Sequence, residues 1–386
     1  MPLANALVAP EQLGHAEPTY PLDLVFCPHC ALVQITETVP PEVLFREYLY
    51  FSSFSDTMLS HAKTLVERLT ASRGLDERSL VIEVGSNDGY LLQYFAARGV
   101  PVLGIEPAEN IAAVATSRGI PTRCAFFGRE LAHALRREGH GADLLLANNV
   151  LAHVADLNGV VEGIGHILNK GGLAVIEVPY LRDMIDRCEF DTIYHEHLCY
   201  FSVTALQRLF ERHDLLLADV ERIPVHGGSL RLSVAHAAGA SVGARVRQLL
   251  TEESAWGVDR LDSYAAFARR AGEIRTTLVA LMTTLKERGC RLAAYGAAAK
   301  GTVLLNYCRI GADLLDFVAD RSPHKQGRLV PGVRVLISPP QRLLEERPDY
   351  TLLLSWNLAD EVLLQQAEYR RAGGRFVVPI PDVRIV

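Results

Sequence analysis

The feature that most constrains the fold is an alternation of short apolar strands with amphipathic stretches, which occurs twice along the chain. The first alternating region runs from Ser79 to about Pro179, and the second begins at Arg291. This alternation predicts βαβ units and mainly parallel sheets. The predicted strands are Leu80–Val84, Val102–Ile105, Asp143–Ala147, Leu173–Val178, Leu215–Val220, Ser229–Ala235, Leu292–Tyr295, Leu315–Ala319, Thr351–Ser355 and Arg375–Pro379.

The chain is long enough for two or three domains, because 386 residues can enclose several separate cores. We predict a short irregular segment over residues 1–45, an α/β domain over 46–239, a helical connection over 240–288 and a second α/β domain over 289–386. The expected fold class is therefore α/β, with two Rossmann-like domains. A helix is also predicted over 46–78, from the helical spacing of Phe54, Met58, Leu65, Val66 and Leu69.

Composition argues against several classes of partner. A formal net charge of −6 gives no electrostatic reason to expect nucleic acid or an anionic membrane. No apolar run reaches the ~20 residues that span a bilayer, and the first residues lack a secretion signal, so we expect a cytoplasmic protein. Seven scattered cysteines are typical of a reducing compartment. A monomer and a dimer are both compatible with this composition.

A glycine-bearing turn follows the first predicted strand. Gly85, Asn87 and Gly89 let the backbone approach a ligand closely, and the helix that follows offers N–H groups. Glu83 precedes the turn, and Glu106 ends the next strand, where a carboxylate can accept hydrogen bonds from ribose hydroxyls. The spacing is Gly-x-x-x-Gly rather than the dinucleotide pattern. The turn resembles the first motif of the class I S-adenosylmethionine-dependent methyltransferases.

Asn148 and Asn149 end a further predicted strand, where the same ligand would be met. The plainer interpretation is an ordinary strand-turn-helix that binds nothing. The combination of the glycine turn, Glu106 and the two asparagines favours a ligand site. We therefore predict S-adenosylmethionine as the cofactor.

Four consecutive residues, Tyr194-His195-Glu196-His197, can move protons or polarise an oxygen. In an extended segment His195 and His197 would share one face, whereas a sharp turn would bring all four to one rim. A metal site is one interpretation, although no fourth ligand is evident. Histidines satisfied by the backbone are a second. General acid–base chemistry is favoured, because a histidine pKa near neutrality suits proton abstraction.

This tetrad lies between the cofactor turn and the loop Gly296-Ala297-Ala298-Ala299-Lys300-Gly301, and it is followed by Leu198-x-Tyr200-Phe201-Ser202. Together these motifs resemble the NDP-hexose C-methyltransferase family, over essentially the whole chain. The resemblance implies metal-free methylation of the carbon next to the ketone of an NDP-linked, usually dTDP-linked, 4-keto-deoxyhexose, in the synthesis of branched deoxysugars for antibiotics. Such a carbon needs a base to remove its proton and donors to hold the enolate oxygen.

The family also implies roles for single residues. His197 matches the base and Glu196 a residue that orients or assists it, although the choice between His195 and His197 stays open. Three further residues are implied to face the sugar and to polarise its ketone or steady its hydroxyls: Tyr194, His153 and Tyr48.

The second glycine turn contains Gly296 and Lys300, and it is not a P-loop, because the lysine precedes the second glycine. We interpret it as a site for the nucleotide half of the sugar substrate, since two phosphates need a helix N-terminus and a cation. A nucleotide fold kept only for packing is the alternative. Further predicted substrate contacts are Asp320, Asn357, Gly228 and Arg231.

Cys27 and Cys30 form one Cys-x-x-Cys pair, where the family resemblance implies two pairs and a zinc ion. A structural zinc site needs four ligands, and neither His15 nor His29 completes a recognisable pattern. We therefore expect a half-site, because either the true start lies upstream of Met1 or the metal has been lost. A poorly ordered segment of ~20 residues is predicted at the start.

A non-catalytic binding protein with the same fold stays open from the sequence, as do two other functions. One is a methyltransferase of the same architecture that acts on a non-sugar acceptor. The other is an NAD-dependent sugar oxidoreductase or epimerase, against which the missing Gly-x-Gly-x-x-Gly pattern counts in both α/β regions.

Overall fold

The computed structural model describes residues 1–45, 51–225 and 227–386. The chain begins with two short antiparallel strands, β1 (Leu24–Phe26) and β2 (Val33–Ile35), followed by helix α1 (Pro41–Phe45). Tyr48, which the family resemblance places against the sugar, lies outside the described residues.

Residues 1–20 pack against the C-terminal part of the chain, so the expectation of a poorly ordered start is wrong. Leu3, Ala4 and Val8 are buried, and Val8 pairs with Leu329 in an isolated antiparallel bridge. The Thr302 hydroxyl donates a buried hydrogen bond of 3.0 Å to the Ala4 carbonyl. Apolar burial of this kind offsets the entropy that a free segment would keep.

Residues 51–236 form a seven-stranded sheet with helices on both faces. The strands of this region are β3 (Val81–Val84), β4 (Val102–Ile105), β5 (Thr122–Arg123), β6 (Ala142–Asn148), β7 (Leu168–Pro179), β8 (Cys199–Tyr200), β9 (Leu215–Ile223) and β10 (Ser229–His236). The helices are α2 (Asp56–Arg73), α3 (Leu92–Ala96), α4 (Glu109–Ser117), α5 (Arg129–Arg137), α6 (Leu157–Ile167), α7 (Leu181–Asp186) and α8 (Val203–Glu211).

The strand order of this sheet is β5-β4-β3-β6-β7-β10-β9. Strand β10 runs antiparallel to both of its neighbours, and the other pairs are parallel. After β3 the chain forms β4 and β5 on one side of β3 and then crosses to form β6 on its other side. The position beside β3 is therefore a topological switch point. Ligands bind doubly wound sheets in the crevice at the carboxyl ends of the strands around such a point.

The helix predicted over 46–78 is shorter in the structure. Helix α2 begins at Asp56, because the extended Ser55 places its hydroxyl to accept a hydrogen bond from the Met58 amide. It ends at Gly74, which adopts a left-handed φ of +61°. Phe54 lies before the helix in a 3₁₀ turn and is 65 % exposed, so it is not part of the apolar face.

Residues 292–385 form a six-stranded sheet that is parallel except for its last strand. Two helices, α9 (Ala244–Trp256) and α10 (Asp262–Glu287), connect the two large sheets. The elements that follow are β11 (Leu292–Tyr295), α11 (Ala299–Cys308), β12 (Val318–Ala319), β13 (Ile337–Ser338), α12 (Arg342–Glu346), β14 (Tyr350–Leu353), α13 (Ala359–Gln365), α14 (Ala367–Arg371), β15 (Arg375–Val378) and β16 (Arg384–Ile385). The strand order of this sheet is β13-β12-β11-β14-β15-β16.

The N-terminal strands connect to the first large sheet region through β8, which pairs with β2 to complete a three-stranded sheet. Strand β8 begins two residues after His197, so this small sheet holds the chain that follows the tetrad. None of the helices in the described parts of the chain has the length and apolar character to cross a bilayer. The predicted α/β class with two Rossmann-like sheets is confirmed.

Candidate active site

A cavity of about 1600 Å³ opens where the carboxyl ends of the parallel strands in the two large sheets face each other. The turn after β3 and the loop after β6 line one side, and the first turn of α11 and the loop after β12 line the other. Residues of the N-terminal segment and the tetrad line it between these two sides. Among the predicted site residues, those that line the cavity are Gly85, Asn87, Glu106, Asn148, Asn149, His153, Tyr194, Glu196, His197, Gly228, Lys300, Asp320 and Asn357.

The turn after β3 is shaped by three left-handed residues. Gly85, Asn87 and Gly89 have φ values of +64°, +48° and +79°. A Cβ atom at Gly85 would lie 2.6 Å from a methyl carbon of Val150, so only glycine fits there. The Asn87 side-chain oxygen accepts a hydrogen bond from the Ser52 amide at 2.9 Å, which closes the turn from outside.

Glu106 bridges this turn and the loop after β4. Its two carboxylate oxygens accept hydrogen bonds from the amides of Asn87 (3.0 Å) and Ala108 (2.9 Å). Burial raises the pKa of Glu106, and the two backbone donors oppose that rise. A carboxylate oxygen has a second lone pair, so Glu106 can still accept hydrogen bonds from a ligand in the cavity.

Asn148 is the last residue of β6 and Asn149 follows it, and both line the cavity. The Asn148 side chain has no hydrogen-bond partner for either polar atom within the described residues. Asn149 adopts a φ of +56°, and its amide donates to the Glu177 carbonyl at 2.8 Å. A buried amide without a partner is costly, and a bound ligand would remove that cost.

Glu83 is not on the cavity, and in this respect the sequence-based prediction is wrong. The residue lies on the central strand β3 and is 1 % exposed. Neither carboxylate oxygen has a hydrogen-bond partner in the described part of the chain. Burial, together with the negative charges of Glu106, Asp88 and Glu177, raises the pKa of Glu83 well above its usual value. Its side chain contributes to the interior beneath the turn rather than to a cofactor contact.

The tetrad forms a tight turn in which the His197 amide donates to the Tyr194 carbonyl at 2.8 Å. Tyr194, Glu196 and His197 line the cavity, whereas His195 points the other way. The His195 Nε2 atom lies 3.0 Å from the Pro21 carbonyl oxygen, and the residue is 1 % exposed. The two histidines therefore do not share a face, because a turn replaces the extended segment that would have aligned them.

His197 is held at both ring nitrogens. Its Nδ1 atom lies 3.0 Å from the Thr192 carbonyl oxygen, and its Nε2 atom lies 2.9 Å from the Tyr194 hydroxyl. A carbonyl can only accept, so Nδ1 carries the proton in the neutral ring. The Nε2 lone pair then accepts the phenolic proton, which places the basic nitrogen beside Tyr194.

His153 lies beside His197, with ring centroids 4.9 Å apart. Its Nδ1 atom donates to the Glu196 carbonyl oxygen at 2.5 Å. Burial lowers the pKa of His153 to about 4, so the ring is neutral at pH 7. Its Nε2 atom is consequently an acceptor, which suits a hydroxyl group and not an enolate oxygen.

Glu196 is 3 % exposed and accepts a hydrogen bond of 2.6 Å from the Asn5 side-chain amide. Asn5 lies 191 residues earlier in the chain and also lines the cavity. No sequence pattern points to this contact, and Asn5 was missed for that reason. The role of Glu196 in orienting His197 stays a prediction.

The second glycine turn is built like the first. Gly296 has a φ of +95°, and a Cβ atom there would lie 2.4 Å from the Ser355 hydroxyl oxygen. The Asp320 carboxylate accepts hydrogen bonds from the amides of Ala297 (2.7 Å) and Ser322 (2.8 Å). Lys300, in the first turn of α11, places its ammonium nitrogen 4.6 Å from the centre of the Trp356 ring.

Arg231 is not on the cavity, contrary to its predicted substrate contact. Its guanidinium bonds the carboxylates of Glu177 at 2.7 Å and Glu221 at 3.3 Å. His61, which does line the cavity, also contacts Glu177, at 2.9 Å. Arg231 neutralises the negative charges of these two carboxylates, so its positive charge is not available to a substrate. Gly228, in contrast, lines the cavity as predicted.

Cys27 and Cys30 lie in the loop between β1 and β2, both partly exposed. Within the ranges that the structure describes, no group of three or more histidine, cysteine or acidic side chains is placed to hold a metal ion. The two thiols supply two of the four ligands that structural zinc requires. Among the described residues, Cys27 and Cys30 therefore lack the further ligands of a four-coordinate zinc ion, and the half-site stays a prediction.

Comparison with known proteins identifies the class to which this fold and site belong. Three family models match: "C-methyltransferase C-terminal domain" over residues 224–381, "Methyltransferase domain" over 57–219 and "Putative zinc binding domain" over 1–45. The chain is 37 % identical to C-methyltransferase NovU from Streptomyces niveus over 386 residues, which is 100 % of this chain and 92 % of NovU. The chain therefore belongs to this family of C-methyltransferases.

More distant similarities were also found. An uncharacterized methyltransferase from Mycolicibacterium gilvum (strain PYR-GCK) is 30 % identical over 125 residues, 32 % of this chain and 49 % of that protein. Magnesium protoporphyrin IX methyltransferase (ChlM) from Synechocystis PCC 6803, solved with bound SAM, has 14 % identity and a TM-score of 0.36, covering 46 % of this chain and 79 % of that one. CcbJ from Streptomyces caelestis has 12 % identity and a TM-score of 0.36, with 45 % and 89 % covered.

The methyltransferase-domain match and the topology of the first large sheet identify the cofactor as S-adenosylmethionine. The protein is an S-adenosylmethionine-dependent C-methyltransferase.

Proposed function

We propose that the protein methylates the carbon next to the ketone of a nucleoside-diphosphate-linked 4-keto-deoxyhexose, with dTDP as the expected nucleotide. The product would be a branched deoxysugar of the kind found in antibiotics. The observation that carries this proposal is the shared cavity, on which the His197–Tyr194 pair lies between two turns that each suit a nucleotide. A small acceptor without a nucleotide would leave the second turn without a ligand.

The first turn suits the cofactor. Glu106 has carboxylate lone pairs for ribose hydroxyls, and Asn148 offers an amide whose donor and acceptor have no partner among the described residues. When bound, S-adenosylmethionine supplies an electrophilic methyl group on a positively charged sulfur.

The second turn suits the nucleotide of the substrate. Asp320 bridges the turn and the following loop in the same manner as Glu106, so it can accept hydrogen bonds from a second ribose. Lys300 and the N-terminal amides of α11 favour phosphate groups nearby. Gly228 and Asn357 also line the cavity. These residues supply a cation and hydrogen-bonding groups for a sugar nucleotide.

Proton removal follows from the arrangement around His197. The Nε2 atom takes the proton from the carbon next to the ketone, and the imidazolium is stabilised by the Thr192 carbonyl at Nδ1. The Tyr194 hydroxyl no longer donates to Nε2 and is able to donate to the enolate oxygen instead. His153, as an acceptor, holds a sugar hydroxyl. With S-adenosylmethionine bound, the enolate carbon would accept the methyl group while the carbon–sulfur bond breaks and the sulfur keeps the electron pair, and no metal is needed for this transfer.

Two measurements test this proposal. Incubation with dTDP-4-keto-6-deoxyhexose and S-adenosylmethionine should give a product heavier by one methyl group. In D₂O without methyl donor, the acidic C–H should exchange with solvent, because abstraction by His197 precedes transfer. Methylation of a ketone that lacks a nucleotide, with no turnover of the sugar nucleotide, would contradict the sugar assignment. Binding of NAD with no methyl gain would contradict the reaction type.

A further inference from the structure

A short 3₁₀ turn, Phe190–Thr192, lies where the two large sheets meet. Asp191 in this turn is completely buried, and its carboxylate accepts a hydrogen bond of 2.7 Å from the Trp356 indole N–H. Trp356 belongs to the second α/β region, in the 3₁₀ turn that follows β14, and is 8 % exposed. This is a buried, charge-assisted hydrogen bond between the two α/β regions.

The same turn carries the carbonyl that holds His197. The Thr192 carbonyl oxygen accepts from the His197 Nδ1 atom at 3.0 Å. The Thr192 amide and hydroxyl both donate to the Glu189 carbonyl, at 3.1 Å and 2.7 Å, which fixes the peptide from its N-terminal side. Asp191 is the adjacent residue, so its bond to Trp356 fixes the turn from the remaining side.

Lys300 connects this arrangement to the proposed nucleotide side. Its ammonium group lies over the Trp356 ring, and its positive charge lowers the pKa of Asp191 against the larger effect of burial, which raises that pKa to about 6. The indole thus contacts a cation on one face and donates to a carboxylate at its edge. A group held by both contacts has little freedom to reorient.

We propose that Trp356 and Asp191 are positioning residues, through which the second α/β region holds His197 in its proton-accepting tautomer and orientation. A partner that fixes the second nitrogen of a histidine determines which nitrogen is basic. Here that partner is the Thr192 carbonyl, and Trp356 holds it through Asp191. The inference rests on the proposed function only for the identity of His197 as the base.

The first test measures catalysis. Trp356→Phe should lower kcat and the rate of solvent deuterium exchange about 10- to 100-fold, because a small displacement of the base is costly. The Kd of S-adenosylmethionine should stay within about twofold, since the first turn is untouched. Trp256→Phe is the matched control, because Trp256 packs on Tyr264 and Arg182, away from the cavity.

A conservative pair separates positioning from charge. Asp191→Asn keeps an oxygen that accepts from the indole and should retain most of the exchange rate, whereas Asp191→Ala should match Trp356→Phe. This pair also decides the matter if Trp356→Phe fails to fold. Equal exchange rates in the two Asp191 variants would overturn the inference.

A spectroscopic test needs no substrate. With ¹⁵N-labelled histidine, the His197 signals, assigned by their loss in His197→Asn, should report protonated Nδ1 in the wild type and a mixture of tautomers in Trp356→Phe and Asp191→Ala. An unchanged tautomer in both variants would overturn the positioning role. Failure of the wild type to exchange deuterium would instead count against the proposed function, while the tautomer result would still judge the inference.

Discussion

The two large sheets carry the same construction at the same place and differ in the charges around it. In each sheet, the turn after the first strand contains a glycine with a left-handed φ. A carboxylate after the second strand accepts one hydrogen bond from an amide of that turn and another from an amide of its own loop. Glu106 does this in the first sheet and Asp320 in the second. The same arrangement of a glycine turn and a carboxylate therefore occurs on both sides of the cavity.

The surroundings of these carboxylates differ. Near Glu106 lie two further buried acids: Glu83, whose pKa is raised well above its usual value by burial and by neighbouring negative charges, and Asp88, which is ion-paired with Arg118 at 3.0 Å. Near Asp320 lie Lys300 and Lys325, and the ammonium group of Lys325 donates to the Ala297 carbonyl at 2.8 Å. The comparison teaches that the fold supplies a nucleotide-sized crevice, while a few side chains at strand ends decide which charge it accepts.

The largest expected effect concerns His197, on which the two halves converge. His197→Asn should lower kcat by about 10²- to 10⁴-fold, because it removes the proposed base, and should leave the Kd of both ligands nearly unchanged. His195→Asn is the matched control: it alters the neighbouring histidine, which faces Pro21, and should cost far less. Steady-state kinetics with calorimetry check this. Equal losses in the two variants would contradict the assignment of the base.

An intermediate effect separates the two sheets. Glu106→Gln should weaken S-adenosylmethionine binding about 10- to 100-fold, and Asp320→Asn should weaken dTDP binding by a similar factor, since hydrogen bonds to a charged group contribute about 1.5–3 kcal/mol. Each variant should leave the other ligand's affinity intact. Calorimetry with each ligand on each variant gives the four values. Loss of both affinities in either variant would show that the two crevices are not independent.

A smaller effect is expected in the pH dependence of stability. Burial raises the pKa of Glu189, beside Lys300, to about 8. The unfolded chain releases this proton near pH 4.5 and the folded chain retains it to about 8, so the stability that Glu189 contributes is lost as pH rises through that window. Glu189→Gln cannot ionise. Its melting temperature relative to wild type should rise by several degrees between pH 5 and pH 8.5.

The control for this measurement is Glu252→Gln, an exposed glutamate on α9, whose offset from wild type should be the same at both pH values. If the difference in melting temperature between Glu189→Gln and wild type were also the same at both pH values, Glu189 would be ionised over the whole range. Its negative charge would then largely neutralise the positive charge of Lys300.

The smallest effect is expected at the cysteine pair. A chelator should change the melting temperature by less than about 1 °C, because Cys27 and Cys30 supply only half of a structural zinc site. The Cys27→Ser/Cys30→Ser variant should melt at nearly the same temperature. Stoichiometric zinc in the purified protein, with loss of stability on chelation, would contradict this expectation.

The sequence predicted the local features of the fold well. The strands around Gly85 and Gly296 were placed within a few residues, because strand alternation and glycine turns are encoded by neighbours in the chain. Glu106, Asn148 and Asp320 were expected at one ligand site or the other for the same reason: each lies at or just after the carboxyl end of a strand, and all three line the cavity.

Several of the failures share one physical cause, which is partners far away in sequence. His195 is turned away from the cavity by an N-terminal carbonyl 174 residues distant. Arg231 was predicted to contact substrate, but carboxylates on two other strands hold it. Asn5 and the Trp356–Asp191 bond were not predicted, because no periodicity or spacing relates residues that meet only after folding.

The N-terminal segment has a consequence for how relatives of this protein recombine. Asn5 contacts Glu196 of the tetrad, while Ala4 and Val8 contact Thr302 and Leu329 in the second α/β region. A hybrid with a single crossover between the large sheets would therefore pair this segment with a foreign C-terminal half. A hybrid with two crossovers, in which the first twenty residues travel with the C-terminal half, would keep the contacts to Thr302 and Leu329 but would place Asn5 against the other parent's counterpart of Glu196.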